Sequence, residues 1–453
     1  MQNPSSTDAQ RSKLIAFRQA IYQSGFTKRR DAQFELLDAL LLTGPLRSFA
    51  ELSCSPLFRR RWSSVYAALD DGRQKSDFLR RLLVAQLPTD EPVVVLALDA
   101  TTWPRPDAPT LPDRQYVYHP SAAVEGGAVV AGHAYSILAW VAQPCSAWAL
   151  PLDVERISSS ETAITCGIAQ VKRLCSERQA QLAETLHIIA ADGSYGTHHF
   201  LRPLRDQGCG LLVRLRKDRV LYQAPPPYGS LGRPRVHGPR FAFKEPESWG
   251  EPDDCYQCTD PKWGQVEVLR WQALHAREAA DTPFTALRIQ VHSERDTPPE
   301  PLWLGWQGPE VSAVTLWRAY QLRWPIEPSI RTRKQQLHWT LPAFQKVEAS
   351  ERWTMLVSLA HWILYLAREL VQDLPLPWQA HQQLPTPGRV QRSFGVLFAQ
   401  IGTPALAPKV RGKSTGWPKG RVRKRPERQA VVKKSASTGK KKKKPPGERR
   451  HAA

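Results

Sequence analysis

Two short apolar runs, VVVLALD at 93–99 and HIIAAD at 187–192, each close on an aspartate. Neither alternates polar with apolar residues, and both carry β-branched side chains. Such runs mark strands covered on both faces, which requires layers packed on either side of a sheet. The fold class is therefore α/β. Strand candidates at 115–119 and 129–141 follow the first run, with turn-forming Gly126-Gly127 before the second of them. Ser158-x-x-Glu161 has the form of a capping box and predicts a helix from there to about Leu186. Gly193, Ser194 and Gly196 loosen the turn after the second run; a helix through Arg205 and a strand at 210–215 follow. The order is β-β-β-α-β-α-β, with Asp99 and Asp192 ending the first and fourth strands.

Upstream, Leu14, Ile15, Phe17, Ile21 and Tyr22, then Phe34, Leu36, Leu37, Leu40 and Leu41, keep helical spacing. Residues 1–90 are thus expected to be helical. Arg59, Arg60, Arg61 and Trp62 fall near the start of one such helix. They read either as the head of a DNA-reading helix or as the solvated face of a bundle. Residues 91–215 form the first part of the core. From 216 to 310 the chain is proline-rich (PPPYG, GRPRVHGPR), with strand patterns at 265–271, 284–292 and 302–306. That length is too great for a plain loop and predicts an inserted β-rich subdomain. Residues 311–375 complete the core, with helices predicted over 312–340 and 351–372.

Within 312–340, Tyr320, Arg323, Glu327 and Lys334 stand at offsets 0, 3, 7 and 14. At about 100° per residue these fall within an arc of roughly 60° on a helix. A phenol, a guanidinium, a carboxylate and an ammonium in one row make a poor packing stripe, since none is cheaply buried. They suit a surface that holds metal and phosphate side by side. Pro325 and Pro328 interrupt the stretch. A helix restarting near Trp324 puts Pro328 in a first turn, where its missing N–H is harmless, and makes the single arc approximate.

The net charge is +21, but it is unevenly spread. Residues 409–453 hold 18 Lys/Arg against two Glu, so the rest of the chain carries only +5. A Pro/Gln-rich and then Lys/Arg-rich tail over 376–453 is expected to be disordered and to add salt-sensitive affinity for a polyanion. The seven cysteines suit a reducing, cytoplasmic setting. Cys255 and Cys258 form a CxxC without a second pair at zinc-finger spacing. No apolar run reaches 18 residues, so membrane insertion is not expected.

The spacing Tyr320-(2)-Arg323-(3)-Glu327-(6)-Lys334 resembles the Y-R-E-K signature of bacterial DDE transposases of the insertion-sequence-4 superfamily. The element order resembles the ribonuclease-H-like catalytic core of that group, and YGTHHF after Asp192 looks closer to its insertion-sequence-701 branch than to relatives with D-R-G-Y. The resemblance runs over about residues 50–372. It implies that the Asp-bearing strands are parallel neighbours, with Asp99, Asp192 and Glu327 as catalytic metal ligands. It also implies that Tyr320, Arg323 and Lys334 grip the DNA near the scissile phosphate. Two Mg²⁺ ions, with Mn²⁺ able to substitute, follow from the chemistry: three converging carboxylates repel one another without a cation. The implied partners are double-stranded DNA, as terminal inverted repeats and target, and a second copy on the paired end. A nucleoid-associated location goes with them. His198 and His199 read as orienting the local helix rather than as metal neighbours, and Arg214, Arg216 and Lys217 as phosphate contacts. Trp249, Trp263, Trp271, Trp303 and Trp306 include a candidate for holding a flipped base, as insertion tryptophans do in some relatives. The rival readings are a transposase-derived DNA-binding protein without activity and a junction-cutting ribonuclease-H-like nuclease.

Overall fold

The computed structural model describes residues 4–119, 128–142, 146–229, 232–292, 299–410, 416, 418, 420, 422 and 425–434. The expected turn at Gly126-Gly127 and the lysine run at 440–444 lie outside them.

The first layer is helical: α1 (Pro4–Ala20), α2 (Arg30–Leu42), α3 (Ser63–Asp70) and α4 (Ser76–Val84), with β1 (Phe26–Lys28) pairing β2 (Arg73–Gln74). α2 buries Phe34, Leu36, Leu37 and Leu40, and its acids are neutralised in place. Arg18 meets Asp38 at 2.9 Å, and Arg59 and Arg60 meet Glu35 at 2.8 and 3.1 Å. The same two arginines donate to the carbonyls of Ala405 and Leu406. Two of the four residues read as either a DNA-reading head or a solvated face therefore pair with a buried acid of the helical layer. Arg61 and Trp62 remain exposed.

The core comprises β3 (Val93–Pro104), β4 (Gln115–Tyr118), β5 (Val129–Val141), β6 (Ala149–Ile157), α5 (Ala163–Glu177), β7 (Leu186–Ala191), α6 (His198–Leu201) and β8 (Gly210–Leu215). The strands lie in the order β6-β5-β3-β7-β8. β3 and β7 are parallel, as are β7 and β8, whereas β5 runs antiparallel to β3 and β6. This mixed sheet fits a ribonuclease-H-like core.

Three local expectations change. β3 does not end at Asp99 but continues to Pro104, because β5 covers that edge and pairs Asp99 with Ile137. β6 adds a strand absent from the expected order. The helix after it starts later, with Thr162 as its cap: Thr162 Oγ1 accepts the Thr165 N–H, and Thr165 Oγ1 accepts the Thr162 N–H. Ser158 and Glu161 do hydrogen-bond, but as a turn upstream of the helix. That helix ends at Glu177, short of Leu186.

The 216–310 segment contributes β9 (Val220–Tyr222), β10 (Arg240–Ala242), β11 (Asp254–Asp260), β12 (Gly264–Ala276), β13 (Ala279–His292) and β14 (Leu302–Gln307). β14 pairs antiparallel with β8, so these strands extend the core sheet to twelve. Aromatic rings fill its outer part, with Phe243 stacked on Trp303 at 3.9 Å.

The predicted helix over 312–340 is two helices, α7 (Ala313–Gln321) and α8 (Ile326–Gln335), separated at Pro325. α9 (Val347–Ala367) is buried on nearly all sides from Trp353 onward, where α1, α2, α3 and β6 pack on the helix. No helix among the described residues is long and apolar enough to cross a membrane. α10 (Pro387–Ile401) corrects the reading of 376–453 as one disordered tail. It buries Val390, Phe394 and Leu397 and packs on α9 and α2.

Candidate active site

The parallel register of β3 and β7 aligns Leu98 with Ala191. The next residue in each case is an aspartate, so Asp99, within β3, and Asp192, just past β7, stand at the same level on neighbouring strands. Asp99 Oδ1 accepts the Ala100 N–H at 2.8 Å, and Asp192 Oδ1 accepts the Ser194 N–H at 3.0 Å. These bonds fix two carboxylates against the sheet, as the capping reading of a strand-end Asp also allows.

The third acid arrives from the break between α7 and α8. Here the chain turns by i to i+3 bonds: the Arg323 N–H donates to the Tyr320 carbonyl and the Glu327 N–H to the Trp324 carbonyl. Tyr320 thus lies on α7, Arg323 in the break, Glu327 in the first turn of α8 and Lys334 in its last. The four share one side of the site without sharing one helix.

Arg323 spans the gap. Its Nη1 donates to Asp99 Oδ2 at 3.1 Å and its Nη2 to Glu327 Oε1 at 2.8 Å. Lys334 reaches β3 itself, its Nζ donating to the Thr102 carbonyl at 2.8 Å. Burial raises the Asp99 carboxyl; Arg323 opposes the shift, while Asp192 and Glu327 add to it. Burial also opposes the charge on Arg323, but Tyr320, Asp99 and Glu327 together outweigh it and raise its pKa. Asp99 therefore senses both other acids. Burial likewise raises the Tyr320 phenol, against the pull of Arg323.

Lys334 shows the cost of this placement. Burial, helped by Arg333, pushes its ammonium from 10.5 down to about 8. A depressed base carries its penalty while both states are protonated, and stability recovers as pH rises from about 8 towards 10.5. Lys334→Met is expected to flatten that recovery in the DNA-free protein. Thermal midpoints from pH 7 to 10 that rise equally in variant and wild type would contradict it.

The hard oxygen donors of Asp99, Asp192 and Glu327 fit a divalent ion such as Mg²⁺ in kind. Among the described residues no three acidic, His or Cys side chains stand grouped as a ready ligand set. Arg323 is what stands between Asp99 and Glu327.

The other candidates separate clearly. His198 faces Glu278 at 3.9 Å and lies tilted against the His199 ring. Lys217 pairs with Glu300 at 2.9 Å; Arg214 and Arg216 are exposed, and Arg214 acts on Tyr320. Cys255 and Cys258 are three apart on β11, so their side chains point to opposite faces and cannot share an ion. Trp271, Trp303 and Trp306 are buried, and Trp249 meets Trp271 and Trp303 edge-on; Trp263 is exposed. Trp263 sits in the β11–β12 turn, which Asp260 docks on α7 by accepting from Gln321 at 2.9 Å. Lys262 beside it lies 5.0 Å from the Trp263 ring and 5.7 Å from the exposed Trp324 ring.

Two neighbours were not anticipated from sequence. Tyr195, fully buried, backs the aspartates: its N–H donates to the Asp192 carbonyl, and Asp99 and Asp192 help burial raise its phenol. Gly167 of α5 lies against its ring, where a Cβ would come within 3.0 Å. Thr102 takes the Lys334 bond. The tyrosine had a sequence signal in the GSYG turn after Asp192; the threonine had none.

A mixed sheet thus brings two carboxylates to one level on adjacent parallel strands, with a third, on a helix, linked to Asp99 through Arg323. A family model for DDE superfamily endonucleases matches residues 22–277, and the chain belongs to that family. No curated protein matches it. The matched span includes Asp99 and Asp192 and ends before Glu327, so the placing of the third acid rests on Arg323.

Proposed function

We propose that this chain is a DNA transposase of the insertion-sequence-4 superfamily, in its insertion-sequence-701 branch, that cuts at element ends and joins them to target DNA. The observation that carries this reading is the Arg323 bridge, which reaches back 224 positions of sequence to an acid on β3 while holding an acid on α8. Asp99, Asp192 and Glu327 would hold two Mg²⁺ ions. When bound, these supply an activated water and charge stabilisation for the leaving oxygen.

The chain's own residues orient the DNA. Arg323 forks onto phosphate oxygens once its carboxylate partners are engaged elsewhere, Lys334 acts as a point charge, and Tyr320 donates its phenol. Hydrolysis at the element end breaks one phosphodiester and frees a 3′-OH. That hydroxyl attacks a target phosphodiester, forming one bond for each one broken. The N-terminal helices and the 216–310 strands would bind the terminal repeats, and two copies would pair the two ends. Trp263, exposed on the turn that Asp260 docks on α7, would be the insertion tryptophan that stacks on a base.

The test is direct. Purified protein with Mg²⁺ and a DNA carrying the inverted repeats that flank its gene should nick at the repeat ends. Specific binding with no nicking would favour the binding-protein reading; nicking of branched DNA without repeats would favour the junction nuclease.

A further inference from the structure

β4 turns Gln115 and Val117 inward and Tyr116 and Tyr118 outward, leaving the tyrosines 51% and 64% exposed. Residues two apart on a strand share a face and stand about 6.5–7 Å from each other. Cross-strand from Tyr118, Val129 is also exposed. The ledge they form joins the site on one side. Thr102 Oγ1 donates to the Tyr118 carbonyl at 3.3 Å, and the same threonine's carbonyl accepts from Lys334.

On its other side lies a stretch of the C-terminal segment. The N–H of Val432 donates to the Arg114 carbonyl and that of Gln429 to the Pro109 carbonyl, both at 2.7 Å, and Val432 bridges Gln115 in parallel. Arg114 Nη2 closes the contact on the Gln429 carbonyl at 3.2 Å. This brings Lys433, exposed, to the outer edge of β4, while Lys434 gives its ammonium to the Glu161 carbonyl. Two aromatic faces are thus bordered by Lys334 inside and by Lys433 outside.

We propose that this ledge binds unpaired bases of the DNA strand leaving the cut, with its phosphates on the flanking cations. The inference rests on the nuclease reading of the same site. Stacking on tyrosine needs a base with a free face, which a duplex does not offer, and the spacing suits bases drawn apart. A protein partner for two tyrosines would not call for cations on both sides.

The experiment measures binding of full-length protein, without divalent ions, to a duplex with a thymidine single-stranded flank and to a fully paired duplex of equal length. For the Tyr116→Ala/Tyr118→Ala variant, affinity for the flanked DNA should fall about tenfold while that for the paired duplex changes less than about twofold. Tyr→Trp at both positions should restore it. Equal losses on both DNAs, or no loss, would overturn the ledge, as would a change of oligomeric state that assigns the face to a second copy. Cleavage by Asp99→Asn is scored separately. Loss of flank binding in the tyrosine variant with full cleavage by Asp99→Asn would sink the catalytic reading and keep the ledge.

Discussion

Asp99→Asn should lower Mg²⁺-dependent DNA cleavage on the order of 10³-fold, the scale expected when one member of a group acting as a unit is removed. The fold should survive. Asparagine has the same shape, its Oδ1 can still accept the Ala100 N–H, and Arg323 keeps Glu327 as a partner. Because burial raises the Asp99 carboxyl, its charge is held at a cost in the free protein, and the amide removes that cost. A thermal midpoint at or above wild type with cleavage lost is the expected pair. Undiminished cleavage would remove Asp99 from the site, and a collapsed midpoint would make its role structural.

Arg323→Gln should act in the opposite sense on stability. The guanidinium is the cation bonded to both Asp99 and Glu327, and its loss leaves acids that repel one another. Breaking a fully buried pair costs about 3–5 kcal/mol. Here the cost is smaller, because the Glu327 side chain is 50% exposed. Without divalent ions the variant's midpoint should drop by several degrees. Added Mg²⁺ or Mn²⁺ should then stabilise the variant more than the wild type, since no guanidinium has to be displaced. Cleavage should still fall, because the phosphate fork is gone. An equal response of both proteins to metal would show that Arg323 does not occupy the ions' place.

How far the site was legible depended on the kind of signal each residue left. β3 and β7 were readable because burial on both faces removes polar residues from a strand, and few other elements leave such runs. β6 was not. Pro151, Asp153, Glu155 and Arg156 break its apolar pattern, and its register shifts opposite Leu138 and Ala139. That shift is where Pro151 is tolerated without an N–H to donate. α10 was hidden by its neighbours in sequence: Pro- and Gln-rich flanks outweighed RVQRSFGVLF, although Phe394 is fully buried. Pro325 did announce the break between α7 and α8.

By itself, the sequence determined the α/β class, the two aspartates at the ends of apolar runs and the polar Tyr320–Lys334 series, because burial and local spacing act on neighbours in the chain. Only the tertiary structure decided that Glu327 meets Asp99 through Arg323, that Lys334 reaches Thr102, and that Arg59 and Arg60 pair with Glu35. Those contacts join residues far apart in sequence. Their strength depends on a dielectric and a geometry that exist only once the sheet and α8 have packed together.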